Sequence, residues 1–172
     1  VERAVRETVN CFGRLDVLVN NAGIIQVGPF ESMTVEDYQV AMETHAWGSL
    51  YTIMASVPHM QKKGGGRIVN IVSIGGKIAV PHLLSYVMSK FAQAGLSEAL
   101  SVELAREGIL VTSVYPGLMR TGSHVNATFK GNNRQEFAWF SIGAGMPVIS
   151  INARPAVACA DWTRGWTRSP VR

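Results

Sequence analysis

Short apolar runs that follow longer helical stretches constrain the fold of this chain more than any other feature. The runs are Leu15–Val19, Arg67–Ser73 and Ile109–Val114. Nearly continuous apolar runs of this length are typical of strands that are buried on both faces of a parallel sheet. Enough residues lie between one run and the next for a helical crossover. Helices and strands in alternation therefore predict an α/β fold with a doubly wound parallel sheet.

The segments before and between these runs carry helix signals. Valines recur at helical spacing over residues 1–12, and Gly13 follows as a C-terminal stop. Thr34 is the expected N-cap of a second helix, which continues to Pro58. A third helix is expected over residues 85–106. The three helices would connect the three strands into one domain.

Composition excludes several classes of protein. The 172 residues are 47% hydrophobic and 16% charged, which argues against a disordered or fibrous chain. Cys11 and Cys159 lie far apart with no metal-ligand spacing, so neither a disulfide framework nor a metal site is expected. Without an apolar run of about 18 residues, no membrane span is predicted and a cytoplasmic location is the default expectation.

The carboxyl-terminal part of the chain differs in composition from the rest. Residues 122–150 show little periodicity, and we interpret them as a mobile loop or lid over a substrate. The lid contains apolar side chains that favour an apolar substrate: Phe129, Phe137, Trp139, Phe140 and Met146. We assign 1–155 to one domain and 156–172 to an atypical basic tail of Trp and Arg. Nucleic acid binding by this tail is the less favoured interpretation.

Polar residues follow each predicted strand, at the rim where doubly wound sheets bind ligands. Tyr86 and Lys90 begin the helix after the second strand and are four residues apart, so they project from nearly the same helix face. We expect the ammonium group to lower the phenol pKa toward neutrality. Ser73 would hydrogen-bond to an oxygen on which charge develops. These side chains are what carbonyl reduction or alcohol oxidation requires, with hydride transfer left to a nicotinamide.

Four motifs in order make the chain resemble a short-chain dehydrogenase/reductase, a family with a Rossmann-like fold. Asn20–Gly23 matches the NNAG motif, and Tyr86 with Lys90 matches YxxxK, with Ser73 thirteen residues before the tyrosine. Pro116–Gly117 with Thr121 matches PGxxxT. The resemblance covers Val1 to Thr121, about two thirds of the chain.

The resemblance implies a role for each matching residue. Tyr86 would be the general acid/base, Ser73 would orient the substrate, and Lys90 would lower the tyrosine pKa and hold the nicotinamide ribose. The implied cofactor is NAD or NADP, and the implied assembly is a homodimer or homotetramer. The remaining residues implied to line the cofactor site are Asn21, Ala22, Gly23, Pro116, Gly117, Met119 and Thr121.

Two departures from the family pattern stand out. His45 occupies a position that the family usually fills with an asparagine of a water-linked proton path, and we expect a histidine that titrates near neutrality to serve there. No TGxxxGxG or GxGxxG motif occurs, and no strand precedes Val1. We therefore interpret the chain as an N-terminally truncated portion of a longer enzyme, with Leu15–Val19 as an open apolar edge.

Three functional interpretations remain open. The favoured one is an NAD(P)-dependent oxidoreductase that interconverts a secondary alcohol and a carbonyl compound. A second is a non-catalytic partner module or inactive fragment that keeps the helices of subunit assembly. A third is an NAD-dependent epimerase or dehydratase, against which the NNAG motif counts.

Overall fold

A computed structural model describes residues 1–117, 119 and 122–145. The helices are α1 (Glu2–Phe12), α2 (Val35–Met42), α3 (Gly48–Lys62), α4 (Leu84–Glu103), α5 (Ser123–Asn126) and α6 (Asn133–Gly145). The strands are β1 (Val17–Asn20), β2 (Gln26–Val27), β3 (Gly66–Ile71), β4 (Ile109–Val114) and β5 (Thr128–Phe129). The basic tail 156–172 and the predicted site residue Thr121 lie outside the described residues.

Among the described residues, β1, β3 and β4 form a parallel sheet in that order. Asn20 is paired with Asn70, and Ile71 is paired with Val114, so the carboxyl ends of the strands lie at one edge. A second, two-stranded parallel sheet pairs β2 with β5. The predicted α/β class with a Rossmann-like parallel sheet is confirmed.

Local signals define the helix ends as the sequence predicted. Gly13 adopts a left-handed conformation with φ of 73°, and its N–H donates to the Val9 carbonyl at 2.8 Å. Thr34 and Asp37 form a reciprocal capping box, in which the Asp37 carboxylate accepts from the Thr34 N–H at 2.8 Å.

The long helix predicted from Thr34 to Pro58 is interrupted. Residues Glu43–Trp47 form a π-helical turn between α2 and α3. Such a turn inserts one extra residue and rotates the helix that follows, and it is frequent at functional sites. His45 lies in this turn, and its side chain is fully buried. The apolar periodicity of the segment contains no signal for that extra residue.

Two apolar clusters support these elements. One lies between α3, the sheet and the end of α4, and its buried members are Ile53, Met60, Ile68, Leu104 and Ile109. The other surrounds β2, with Val27, Leu83 and Phe140 as its buried members. The second cluster borders the rim where the strands end.

The run Leu15–Val19 is the open edge that the sequence predicted rather than a strand buried on both faces. Val19 is 54% exposed, because β1 is an edge strand among the described residues. Residues 122–145 contain α5, β5 and the 13-residue helix α6, so the expectation of an irregular loop was wrong there, and their role as a lid stays a prediction. Helix α6 is weakly amphipathic, which explains why the periodicity did not indicate it.

The described ranges contain neither a membrane-spanning helix nor a cluster of metal ligands. None of their helices is long and apolar enough to cross a membrane. The same part of the chain contains no cluster of three or more His, Cys, Asp or Glu side chains arranged as metal ligands.

Candidate active site

A buried polar network fixes the end of β1. The Asn20 amide donates to the Asn70 side chain at 2.8 Å, and Asn70 donates in turn to Ser97 on α4 at 2.8 Å. Thr52 on α3 donates to Asn20 at 2.6 Å. The first asparagine of the NNAG motif is therefore a structural residue that joins both helices to the sheet.

The turn after Asn20 lies against the π-helical turn. Asn21, Ala22 and Gly23, the predicted cofactor residues, are exposed in it. A Cβ atom on Gly23 would lie 3.1 Å from Nε2 of His45, a separation tighter than most real Cβ contacts. Glycine thus allows the turn to approach the imidazole ring closely.

Ser73 lies at the end of β3, next to the end of β4. Its hydroxyl accepts a hydrogen bond from the Gly75 N–H at 3.1 Å and caps a short 3-10 segment. The Ile74 N–H donates to the Pro116 carbonyl at 2.9 Å. This backbone bond brings the serine and the Pro-Gly motif to the same rim.

Tyr86 lies in the first turn of α4, and its ring packs over Gly75. A Cβ atom on Gly75 would lie 3.1 Å from the tyrosine ring. Burial raises the pKa of the Tyr86 phenol above its ordinary value, and a hydrogen bond from Ser73 offsets part of that shift. The expectation of a lowered phenol pKa was therefore wrong for the protein alone, because burial outweighs the stabilisation of the phenolate.

Lys90 is buried, with a residual exposure of 4%. Its Nζ donates to the Ile71 carbonyl at 2.9 Å and to the Gln93 side chain at 3.0 Å, and lies 5.8 Å from the centroid of the Tyr86 ring. Burial lowers the pKa of Lys90 to about 8. A solvated surface lysine, the ordinary interpretation of such a residue, is thereby excluded.

His45 contacts both the turn after β1 and helix α4. Nε2 accepts from the Ile24 N–H at 3.1 Å, and Nδ1 lies 2.7 Å from the Ser89 hydroxyl. Burial, together with the nearby charge of Lys90, lowers the pKa of His45 to about 3. The expectation that this histidine titrates near neutrality was wrong, since no room is left to solvate a second proton.

Sequence reasoning missed three polar residues that support the site. Ser89 and Gln93 each lie three positions after a motif residue on α4, and both are buried. The Gln93 amide donates to Ser49 at 2.8 Å, and Ser49 donates to the His45 carbonyl at 2.7 Å. Their spacing of three residues from Tyr86 and Lys90, which puts them on the same side of the helix, was the signal available for them.

The structure brings most of the predicted site residues into one cleft of about 200 Å³. The predicted residues that line it are Asn21, Gly23, His45, Ser73, Tyr86, Lys90, Pro116 and Met119. Ala22 and Gly117 are their chain neighbours and do not line the cleft. Motifs that are up to 98 residues apart in the chain therefore meet at the carboxyl ends of the strands.

An apolar pocket adjoins the cleft and shares Ile25, Ser73, Tyr86 and Met119 with it. Its volume is about 130 Å³. The other lining residues are Ile74, Gly75, Val80, Leu83, Ser123 and Phe140. Two of the aromatic residues predicted to form a lid, Phe129 and Phe140, pack edge to face at the second apolar cluster.

Comparisons with known proteins agree with this geometry. The 3-ketodihydrosphingosine reductase of Bacteroides thetaiotaomicron is 41% identical over 122 residues, which are 71% of this chain and 45% of that protein. The chain spans about half the length of the curated relatives it matches.

Solved structures of dehydrogenases are also similar to this chain. A short-chain dehydrogenase from Streptomyces avermitilis superposes with a TM-score of 0.80 at 31% identity, over 99% of this chain and 63% of that one. A gluconate 5-dehydrogenase from Burkholderia cenocepacia, solved with NADP and tartrate, gives a TM-score of 0.68 at 30% identity over 72% of this chain and 48% of that one. Residues 1–131 match the family described as short chain dehydrogenase. This chain belongs to the short chain dehydrogenase family and is related to oxidoreductases.

Proposed function

We propose that the cleft interconverts a secondary alcohol and its ketone or aldehyde by hydride transfer with NAD or NADP, Tyr86 acting as the general acid/base. The observation that carries the proposal is the position of a buried, uncompensated ammonium beside a phenol and a serine. Both acceptors of Lys90, the Ile71 carbonyl and the Gln93 amide oxygen, are neutral. Burying a cation without a carboxylate partner costs free energy, and such groups are found mainly at functional sites, where the charge acts on a ligand or a reaction.

The residues of the cleft fit a nicotinamide nucleoside. Asn21 and Gly23 line the cleft from the exposed turn after β1, where a ligand can contact their backbone. Lys90 offers an ammonium group suited to ribose hydroxyls, while Pro116 and Met119 offer an apolar wall. When bound, the nicotinamide would supply or accept the hydride. The related gluconate 5-dehydrogenase of Burkholderia cenocepacia, solved with NADP, supports the same assignment.

The chain's own residues would manage the proton and the reacting oxygen. At neutral pH a phenol with a raised pKa retains its proton, so Tyr86 can donate it to a carbonyl oxygen as that oxygen gains charge. The Ser73 hydroxyl would hydrogen-bond to the same oxygen and hold it in place. An amide does not titrate at neutral pH, so Gln93 orients the ammonium of Lys90 rather than passing protons.

The adjoining pocket supports an apolar substrate. Its lining is almost entirely aliphatic and aromatic, and it opens onto Ser73 and Tyr86. We propose that the carbonyl or hydroxyl group lies at these two residues and that an apolar substituent fills the pocket. The aromatic residue Phe140, which is 9% exposed, would contact that substituent.

The decisive assay is nicotinamide-dependent turnover of a panel of apolar ketones and secondary alcohols. The protein should be produced from the complete reading frame that contains these residues. We expect Tyr86→Phe to lower kcat by about 10³-fold because it removes the proton donor. Tyr115→Phe is the matched control, since that hydroxyl donates to Glu98 at the surface. Full activity in Tyr86→Phe would refute the assigned role.

We further propose that copies of this chain assemble through α3 and α4. Tyr51 and Met54 on α3 are 54% and 63% exposed, and Trp47, the last residue of the π-helical turn before α3, is 46% exposed. The rings of Trp47 and Tyr51 stack with centroids 6.2 Å apart. Helix α4 exposes Met88 and Phe91 in the same way. Exposed apolar groups on neighbouring helices favour subunit contact. Light scattering should show a smaller particle for Met54→Glu than for the control Val125→Glu.

A further inference from the structure

His45 and Ser89 link the two segments that carry the candidate chemistry. The imidazole accepts from the Ile24 N–H in the turn after β1 and contacts the Ser89 hydroxyl at 2.7 Å. Ser89 lies three residues after Tyr86 on α4, and its hydroxyl donates to the Tyr86 carbonyl at 2.8 Å. The π-helical turn brings the ring into this position, where its exposure is zero.

The hydrogen bonds determine where the ring proton lies. A backbone N–H can only donate, so Nε2 must offer its lone pair to Ile24. The Ser89 hydroxyl uses its proton on the Tyr86 carbonyl, so its oxygen must accept from Nδ1–H. Every polar atom of the ring and of the hydroxyl is then used by a neutral imidazole. A second proton on Nε2 would face the Ile24 N–H.

The surroundings of the ring disfavour that second proton. The charged group that faces His45 is Lys90 on α4, and the titratable Tyr86 ring packs edge to face at a centroid distance of 5.5 Å. Ile24, from the turn after β1, contributes only backbone. Burial and the lysine charge act in the same direction, and both hold the imidazole neutral through the physiological range.

We propose that His45 and Ser89 form a positioning pair that holds the first turn of α4 against the turn after β1. The pair sets where the Tyr86 hydroxyl stands relative to Ser73, and His45 stays neutral, with its proton on Nδ1, and transfers no proton during turnover. The proposal rests on the proposed function for its catalytic consequence, and on the hydrogen bonds alone for the neutral link. The histidine, which departs from the family pattern, thus joins the turn after the NNAG motif to the helix that carries Tyr86 and Lys90.

The protonation state can be measured on the chain without any assay of turnover. Nitrogen-15 NMR of histidine-labelled protein from pH 5 to 8 should show His45 as the neutral tautomer protonated at Nδ1, unchanged across the range. The signals of His59, His82 and His124 are internal references. A midpoint for His45 inside this range, or a tautomer protonated at Nε2, would overturn the proposal.

Side-chain variants separate the two halves of the link. His45→Phe keeps the ring volume and removes both hydrogen bonds, whereas His45→Asn keeps a polar atom near Ser89 and His45→Gln keeps one near Ile24. Ser89→Ala removes the second half. The ring signals of carbon-labelled Tyr86 should move in His45→Phe and Ser89→Ala, while those of Tyr115 stay in place. An unmoved Tyr86 in both variants contradicts a positioning role.

Kinetics test the catalytic consequence. We expect His45→Phe and Ser89→Ala each to lower kcat about tenfold with KM nearly unchanged, and the double variant to be no worse than either one. Asn or Gln at position 45 should restore part of kcat. The limbs of the pH–rate profile should keep their midpoints, whereas a shifted limb would identify a proton relay through His45. If no variant and no unaltered protein turns over, the proposed function fails while the NMR results still decide the positioning pair.

Discussion

The cleft at Lys90 and the apolar pocket beside it share Tyr86 but are built in different ways. The cleft is supported by buried polar side chains whose hydrogen bonds join β1, β3, α3 and α4. The pocket is closed by apolar contacts and by helix α6, which comes from outside the main sheet. Directional hydrogen bonds hold reacting groups in fixed geometry, whereas apolar packing tolerates changes of shape. The proposed chemistry and the proposed choice of substrate are thus supported by separate kinds of interaction.

The cleft and the pocket also differ in the titratable groups that lie near them. In the cleft, burial raises the pKa of Tyr86 and lowers the pKa of Lys90 to about 8, so at neutral pH the phenol keeps its proton and the lysine is still largely an ammonium. Outside the pocket lining, the His82 imidazole contacts the Glu136 carboxylate at 2.7 Å, and this contact connects α6, which carries the pocket residue Phe140, to the loop before α4. Removing a group from the cleft should therefore affect kcat, and removing one from the pocket should affect KM.

The largest effect is expected from Lys90→Met in the cleft. Loss of the ammonium should lower kcat by about 10²- to 10³-fold, since its proposed role is to support proton transfer and hold the ribose. Replacing a buried charge with an apolar side chain is often neutral for folding, so the unfolding free energy should change by less than about 2 kcal/mol. Steady-state kinetics and urea unfolding check both values.

The control for that variant is Lys62→Met at the exposed end of α3. It removes the same charge from the protein without touching the cleft. Equal losses of kcat in the two variants would mean that net charge, rather than the buried ammonium, matters.

An intermediate effect is expected from Phe140→Ala in the pocket. The truncation removes an apolar wall, so KM for an apolar substrate should rise about tenfold while kcat changes little. Substrates with small substituents should be affected less than large ones. Ile142→Ala on the same helix, where the residue is 68% exposed, is the matched control. A loss confined to kcat would show that the two regions are not separable.

The smallest effect is expected from Glu136→Gln on α6, at the contact with His82. His82 has a left-handed backbone with φ of 62°, and its ring packs against Trp139 with centroids 5.3 Å apart. Weakening the hydrogen bond to Glu136 should loosen α6 and raise KM about threefold, because a single partly exposed polar contact contributes little. Glu103→Gln, an exposed carboxylate on α4, should leave KM unchanged. A rise in KM larger than that of Phe140→Ala would show that this polar contact matters more to substrate binding than apolar packing does.

Parts of the fold followed directly from local sequence signals. Ile109–Val114 is a strand over the predicted residues, Gly13 ends α1, and Thr34 caps α2 with Asp37. These features depend on a few neighbouring residues and on backbone geometry, so pattern reasoning can find them. Helix α6 did not follow, because its apolar residues are spread around the helix and its burial depends on β2 and α4.

For the candidate site, the sequence supplied the residues but not their environments. The order of the NNAG, Ser73, Tyr86–Lys90 and Pro-Gly motifs determined which side chains meet, since parallel strands must end at one rim. The direction of the pKa shifts of Tyr86 and His45 required the tertiary structure. A shift depends on how much water remains around a group, and that is a property of distant segments packed together.

What the sequence alone determined is therefore the alternation of strands and helices and the residues that stand at the strand ends. The tertiary structure decided the π-helical turn that buries His45, the hydrogen bonds that make it neutral, and the burial of Lys90. Periodicity records which face of an element is apolar, but hydrogen bonds between residues 44 positions apart exist only once the chain has folded.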